Sequence, residues 1–289
     1  MTTYGKKAIE ERFNIYKENQ KKGFGAFIVQ GNYIEIKNGI FDFAKELNVD
    51  GIEIKLGQGA KQGLGGEIRF ESEEEAEKYR KMGYLVLEEE VNGKKVFERH
   101  TPPGELKEGT IENLITKYDF NNVWIKTGLG RGIIKLIEQL IELNEKYNNI
   151  RALTIDGYYG GTGMSPWLIM NETNFPSLAV IKHLEEKGLK LNFDLILAGG
   201  YSTGLDVAKA LLRGANGVAI GRAINIATSN GSQGVYNYLN SLKEDLQMVA
   251  NILKRKKLTD LVGKKEYLVA LTKEAAEFYG INTIDRIEL

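Results

Sequence analysis

Between Val123 and Ala227, three short apolar runs each end in glycine and lead into a helical pattern. They are Ala152 to Ile155 ahead of Asp156-Gly157-Tyr158-Tyr159-Gly160-Gly161-Thr162-Gly163, Leu195 to Ala198 ahead of Gly199-Gly200-Tyr201-Ser202-Thr203-Gly204, and Val218 to Ile220 ahead of Gly221-Arg222. A strand buried on both faces reads as a continuous apolar run, and such strands alternating with helical patterns of roughly 10 to 15 residues make βαβ units. The predicted fold is therefore α/β, a TIM-type (β/α)8 barrel.

A glycine just past a strand and just before a helix lets backbone N–H groups approach an anion, because no Cβ stands in the way. The helix N-terminus behind it adds about half a positive charge. In (β/α)8 barrels a phosphate commonly sits on the loops after the last two strands, where the second and third runs fall. Gly199, Gly200 and Gly221 are the expected cradle, with Arg222 as a nearby cation. The plainer alternative is that these glycines only permit tight turns.

At 289 residues the chain is long enough for one barrel plus a helical tail, here placed at 1–230 and 231–289. No apolar run reaches the roughly 18 residues of a membrane span, and no signal-peptide pattern opens the chain, so a cytoplasmic location is the default expectation. Lysine plus arginine equals aspartate plus glutamate at 39 each, leaving no net field to attract nucleic acid; any anion site is local. Cysteine is absent, which excludes disulfides, thiolate nucleophiles and cysteine-ligated clusters held by this polypeptide. With only His100 and His183, no metal site is expected. Abundant Lys, Glu and Ile points toward a thermophilic source.

In chain order, Ile9, Phe13 and Tyr16 give Lys6 to Lys22 one apolar helical face. Phe27 to Gln30 and Tyr33 to Ile36 read as short strands about Gly31-Asn32, a hairpin signal. Gly51 to Leu56 is the next strand, leading into the glycine-rich stretch Gly57 to Gly66. Glu71 to Arg80 reads as a solvated helix. Tyr84 to Glu90 and Lys94 to Arg99 flank Asn92-Gly93, a hairpin placed in an insertion (71–103), because parallel strands cannot be joined by a two-residue turn. Val123 to Thr127 is a further strand. Three helical core stripes follow: Ile133, Ile137, Leu140, Ile141 and Tyr147; then Leu178, Ile181 and Leu184; then Leu205, Ala208, Leu211 and Leu212. Val235 to Leu253 marks a long helix, and Glu274 to Phe278 a smaller one. The barrel strands number about six, two short of closure, and open parallel edges are normally covered.

Several positions bear chemistry. Gln58 and Lys61 lie just beyond a strand's C-terminal end, where barrel enzymes place catalytic groups; the alternative is a solvated loop. Lys55 shares a strand face with Glu53. Lys126 sits near the end of an apolar strand, where a charge is costly unless paired or facing an anionic ligand. Asp156 could accept a ribityl or ribose hydroxyl, or simply cap a turn. His100 beside two prolines is a candidate proton donor or an ordinary packing residue, and His183 reads as structural.

These residues also carry a resemblance. Glu53-Ile54-Lys55-Leu56-Gly57-Gln58-Gly59-Ala60-Lys61, followed by Gly65-Gly66, resembles the E-I-K-x-x-Q-G-A-K-P-G-x-G-G signature in the synthase domain of the glutamate synthase large subunit. His100-Thr101-Pro102-Pro103 with Thr110 to Leu114, Trp124-Ile125-Lys126, Ile155-Asp156-Gly157 with Gly160 to Pro166, and Ala198 to Gly204 are similar to further motifs of that family. Together they span roughly residues 26 to 230.

The resemblance implies an FMN-binding barrel that reductively aminates 2-oxoglutarate or a related 2-oxo acid. It implies Lys126 against the flavin ring, Asp156, Gly160, Gly161, Thr162, Gly163, Gly199, Gly200, Gly221 and Arg222 around ribityl and phosphate, and Gln58 with Lys61 on the 2-oxo acid. Lys126, Gln58 and Lys61 are thus the catalytic candidates. The chain also departs from the family pattern. No cysteines occupy 223 to 235, so an iron–sulfur or ferredoxin electron donor is expected in another chain; no amidotransferase region is present. The family's first two barrel strands have no counterpart, so a second polypeptide supplying them, in an oligomeric complex, is expected. Two other readings stand beside this one: a degenerate, non-catalytic barrel acting as scaffold or ligand sensor, and an FMN barrel of the α-hydroxy-acid oxidase or isopentenyl diphosphate isomerase type, which shares the phosphate loop but not the Gln58 to Gly66 signature.

Overall fold

The structure, a computed structural model, describes residues 5–20, 25–61, 68–100, 110–161, 165 and 175–284. After helix α1 (Gly5–Asn19) come strand β1 (Ile28–Asn32), helices α2 (Tyr33–Lys37) and α3 (Ile40–Glu46), and strand β2 (Gly51–Lys55). Strand β3 (Ile68–Phe70), helix α4 (Glu73–Lys81) and the hairpin β4 (Leu85–Val91) and β5 (Lys94–His100) form a separate antiparallel sheet in the order β3-β5-β4. The α/β alternation then resumes with α5 (Thr110–Tyr118), β6 (Val123–Gly128), α6 (Ile133–Tyr147), β7 (Ile150–Asp156), α7 (Val180–Glu186), β8 (Asp194–Ala198), α8 (Gly204–Arg213), β9 (Gly217–Ala219) and α9 (Arg222–Ala227).

The main sheet has six strands in the order β1-β2-β6-β7-β8-β9, with every pairing parallel. The α/β architecture, the six parallel strands among the described residues and the antiparallel β4–β5 hairpin agree with the sequence. One face of the sheet carries Val29, Ile52, Ile54, Val123, Ile125, Leu153, Ile155, Leu195 and Leu197, all buried in one apolar cluster with Ile137 and Leu140 of α6 and Ile181 and Leu184 of α7. Burying such a side chain contributes about 1.5–3 kcal/mol, so this face, rather than local propensity, holds the strands against their crossover helices. By period-two alternation the opposite face carries Gln30, Glu53, Lys55, Trp124, Lys126, Thr154 and Asp156.

Two sequence expectations are corrected here. Tyr33 to Ile36 is helix, not the second strand of a hairpin. Asn32 Oδ1 accepts the Glu35 N–H at 3.0 Å and Glu35 Oε2 accepts the Asn32 N–H at 2.8 Å, a reciprocal cap that starts a helix where the apolar alternation suggested a strand. Leu205 is 51% exposed and lies outside the core stripe of α8. It occupies the first turn, where a helical side chain leans back over the N-terminal end and away from the packed face.

The tail begins with α10 (Gly231–Ile252), which packs on α8 and the short turn at Leu258–Leu261. Val207, Leu211, Leu212 and Leu261 form a second, smaller core there. Beyond it, β10 (Val269–Ala270) and β11 (Asn282–Thr283) pair in parallel around α11 (Lys273–Tyr279). Arg213 fastens this region from beneath. Its buried guanidinium donates to Glu185 Oε1 at 2.9 Å, to Glu185 Oε2 at 2.8 Å and to the Tyr279 carbonyl at 2.6 Å.

Candidate active site

The polar residues of the sheet's open face gather toward the strands' C-terminal ends. Lys55 and Lys126 are register partners on adjacent parallel strands, so their side chains leave the sheet side by side. Lys126 in turn pairs with Thr154, and two residues further along β7 stands Asp156. Lys126 Nζ lies 3.5 Å from Asp156 Oδ2, an ion pair at the outer limit of hydrogen-bond reach. That oxygen is buried and accepts no hydrogen bond from a described residue. Asp156 is 2% exposed, and burial raises its carboxyl above the ordinary value, while Lys126, Lys55 and the Gly59 amide pull it back. Burial, and then the neighbouring Lys126 ammonium, lowers the Lys55 ammonium, opposed by Glu35, Asp156 and Glu53.

Glu53 does not pair with Lys55. It accepts from Gln30 Nε2 on one oxygen and from Thr154 Oγ1 at 3.3 Å on the other, locking strands β1, β2 and β7 into register. Lys55 instead donates to Gln58 Oε1 at 3.0 Å, and Gln58 Nε2 donates to the Gly160 carbonyl at 2.8 Å. The loop after β2 is thereby tied to the loop after β7, a contact across 102 residues that sequence pattern could not disclose. Gly59 and Gly160 permit the closeness: a Cβ on Gly59 would overlap the Gly157 carbonyl, and one on Gly160 would overlap the Asp156 carboxylate.

The expected phosphate cradle divides into two kinds of glycine. Gly199 and Gly200 hold φ of 101° and 94°, and a Cβ would come within 2.8 Å of the Gly157 backbone and 2.8 Å of Tyr159 respectively. These two are required by the fold itself. Gly221 has no neighbour within 4 Å of the Cβ position, so nothing in the chain's own packing requires it. The Gly199, Gly200 and Gly221 amides donate to no described residue, and Arg222 Nη2 donates to the Gly161 carbonyl at 2.5 Å, joining the loop after β7 to the start of α9.

Thr162 and Gly163 lie outside the described residues, as does the Lys61 side chain; Gly161 and Gly160 are in place beside Arg222 and Asp156. His100 belongs to the insertion sheet, where its Nε2 lies 2.6 Å from Glu98 Oε1, and Arg69 pairs with the same Glu98 at 2.7 Å. His183 is on α7, exposed beside Glu186. Thr154 and Gln30 are members of the buried polar group that the sequence reading passed over; their period-two spacing from Asp156 and Asn32 was the available signal. Among the described residues no cluster of potential metal ligands occurs, and no helix is long and apolar enough to cross a membrane. A cavity of about 540 Å³ lined by Leu184, Glu185, Phe193, Arg213 and Lys265 lies where β8 begins, at the other end of the sheet from Lys55 and Lys126.

Fold and site together define a parallel (β/α)-barrel-type protein with paired lysines and bare backbone amides at the strands' C-terminal ends. Residues 108–241 match the family model described as the conserved region in glutamate synthase. The chain is 27% identical over 206 residues to the archaeal glutamate synthase [NADPH] of Methanocaldococcus jannaschii, covering 67% of this chain and 38% of that protein. It is 28% identical over 194 residues to a glutamate synthase large subunit-like protein of Rhizobium meliloti, covering 62% and 39%. The chain thus spans about two fifths of the length of these relatives. In structure it is similar to the recombinant flavin-binding domain of baker's yeast flavocytochrome b2, with a TM-score of 0.58 at 18% identity, covering 97% of this chain and 65% of that one. Residues 108–241 are thus similar to the conserved region of the glutamate synthase family.

Proposed function

We propose that this protein is an FMN-dependent oxidoreductase whose reaction is the reductive amination of a 2-oxo acid, 2-oxoglutarate in the first instance, to the amino acid. One observation carries the reading: two register-paired lysines and a buried carboxylate with an unsatisfied oxygen stand at the same end of the sheet as the free amides of Gly199, Gly200 and Gly221. An orphaned acceptor and bare donors are costly to leave unmade, and a flavin nucleotide supplies hydroxyls to the one and a phosphate to the other. The residues present therefore fit the group.

In this reading Gly199, Gly200 and Gly221 donate to the phosphate, and Arg222, held by Gly161, adds charge beside it. Asp156, Gly160 and Gly161 face the ribityl chain, with Thr162 and Gly163 continuing the same loop. Lys126 faces the ring, where an ammonium favours negative charge on the ring's polar edge. Lys55 and Gln58 fix the start of the loop that leads to Lys61, the residue this reading assigns to the 2-oxo acid carboxylates. When bound, the flavin supplies the hydride equivalent, while the protein contributes orientation and electrostatics. In this reading the electron donor lies outside this cysteine-free stretch. A cytoplasmic location and a role in amino-acid biosynthesis belong to the same proposal.

The test is anaerobic turnover of the FMN-loaded protein with 2-oxoglutarate, ammonia and dithionite as artificial reductant, following glutamate by mass. Glutamate formation supports the assignment. A loaded protein that instead oxidises 2-hydroxy acids, the α-hydroxy-acid oxidase alternative, overturns the substrate assignment. A colourless protein that takes up no FMN favours the scaffold reading.

A further inference from the structure

We propose, on the basis of the flavin reading above, that Gln58 is a positioning residue for the phosphate cradle. Through the consecutive carbonyls of Gly160 and Gly161 it couples the loop after β2 to Arg222 and to the amides of Gly199 and Gly200.

Gln58 is engaged at both ends of its amide. Its oxygen accepts from Lys55 Nζ at 3.0 Å, and its Nε2 donates to the Gly160 carbonyl at 2.8 Å. A cation on the oxygen polarises the amide and strengthens the N–H bond on the other side. The chain itself thereby sets the direction of this side chain, and the group it grips is backbone 102 residues away. The flanking backbone leaves little slack. The Leu56 amide donates to the Lys126 carbonyl at 2.8 Å, and Gly59 lies so near the Gly157 carbonyl that a Cβ would overlap it.

The segment it grips, residues 157–161, is the platform on which the phosphate donors stand. The Gly157 amide donates to the Ala198 carbonyl at 2.8 Å, fixing the start of the segment to β8. The Cβ position of Gly199 lies 2.8 Å from the Gly157 backbone and that of Gly200 lies 2.8 Å from Tyr159, so the amides after β8 rest directly on this segment. At its other end Arg222 Nη2 donates to the Gly161 carbonyl at 2.5 Å. The acceptors of Gln58 and Arg222 are therefore neighbours in the chain. Peptide planes are rigid, so only the φ and ψ of Gly161, which is buried with an extended backbone, separate the two carbonyls. Releasing Gly160 leaves the Gly161 carbonyl, and the guanidinium held on it, without a fixed direction. Glycine at both positions makes that loss larger, because no Cβ restricts the freed backbone.

Titrating FMN and riboflavin by flavin fluorescence into the nucleotide-stripped full chain, and into its Gln58→Met, Arg222→Met and double variants, tests the coupling. Methionine keeps the length of the glutamine and removes both of its hydrogen bonds. Gln58→Met should lower the preference for FMN over riboflavin about 5-fold, with riboflavin affinity nearly unchanged. The double variant should lose less preference than the product of the two single losses. A glutamine with only a structural role would weaken both flavins alike. One that only contacts substrate would leave both unchanged while weakening 2-oxoglutarate binding to the flavin-loaded protein. Either result overturns the proposal, as do single losses that multiply in the double variant. In the unsubstituted protein FMN should slow amide exchange across Gly57 to Ala60 about 5-fold more than riboflavin does; equal protection overturns the coupling even if Gln58→Met fails to fold. An unsubstituted protein that binds neither flavin, or both equally, overturns the flavin reading and this one with it. Tight FMN binding that Gln58→Met leaves intact sinks this inference alone.

Discussion

Replacing Lys126 by methionine isolates the electrostatics of the site. The change keeps most of the aliphatic stem and removes the ammonium that sits 3.5 Å from Asp156 Oδ2. Asp156 is 2% exposed, so water cannot take over. Removing one partner of a buried pair typically costs about 3–5 kcal/mol. Here the long separation and the remaining pull of Lys55 and the Gly59 amide place the loss at the lower end, about 3 kcal/mol. At roughly 2–4 °C per kcal/mol for a chain of this size, the melting temperature should fall by roughly 6–12 °C near neutral pH.

The pH dependence fixes the cause. Asp156 already has a raised carboxyl pKa in the folded state, and losing Lys126 raises it further. A carboxyl held above its unfolded value favours folding when protonated, so stability is full below the ordinary carboxylate range and is lost as pH rises through the folded value. The gap between Lys126→Met and the parent should therefore open with rising pH and close in acid. Adding Asp156→Asn to Lys126→Met should recover most of the loss. Urea unfolding from pH 4 to 8 on the two single variants and the double variant measures this as a coupling energy. A pH-independent loss, or a double variant no better than Lys126→Met, would refute the assignment of the pair.

Other expectations follow from the same geometry. Glu185→Gln should destabilise by about 1.5–2 kcal/mol, because it removes the counter-charge and one acceptor of the buried Arg213 guanidinium, whereas Lys265→Met on the same carboxylate should cost under about 1 kcal/mol, Lys265 being half-exposed; equal losses in thermal melts would contradict this. Gly199→Ala should fail to fold or lose several kilocalories, with φ of 101° and Gly157 backbone 2.8 Å from the new Cβ, while Gly221→Ala should melt with the parent yet bind FMN about 10-fold more weakly. Lys55→Met should stabilise the protein near pH 7, because burial and Lys126 disfavour the charged form, with the gain vanishing as pH climbs toward the ordinary lysine value; a gain that persists at high pH would mean packing rather than charge.

The parallel sheet was legible because its inner strands, Ala152 to Ile155 and Leu195 to Ala198, are buried almost throughout and so read as continuous apolar runs ending near glycine. The alternation Glu53, Lys55 and the separation of Lys126 from its apolar neighbours likewise showed which side chains share a face. What sequence could not supply was partnership. Glu53 looked like the counter-ion of Lys55, yet cross-strand neighbours Gln30 and Thr154 engage it, and Lys55 turns to Gln58 three residues on. Tyr33 to Ile36 misled because Asn32 and Glu35 cap a helix that alternation alone cannot distinguish from a strand. The glycine loops gave away their position but not their division of labour: only coordinates separate Gly199 and Gly200, pressed against Gly157 and Tyr159, from Gly221, which faces open space.

The central claim is that bare amides after β8 and β9 hold the phosphate of a flavin nucleotide. Titrating the protein purified from its native host, stripped of bound nucleotide, with FMN and separately with riboflavin tests it directly, since the two ligands differ only in that phosphate. Charge-assisted hydrogen bonds to a phosphate are worth about 1.5–3 kcal/mol each, so FMN should bind at least about 100-fold more tightly than riboflavin, with the preference reduced in Gly221→Ala. Equal affinity for the two, or binding of neither, would contradict the account.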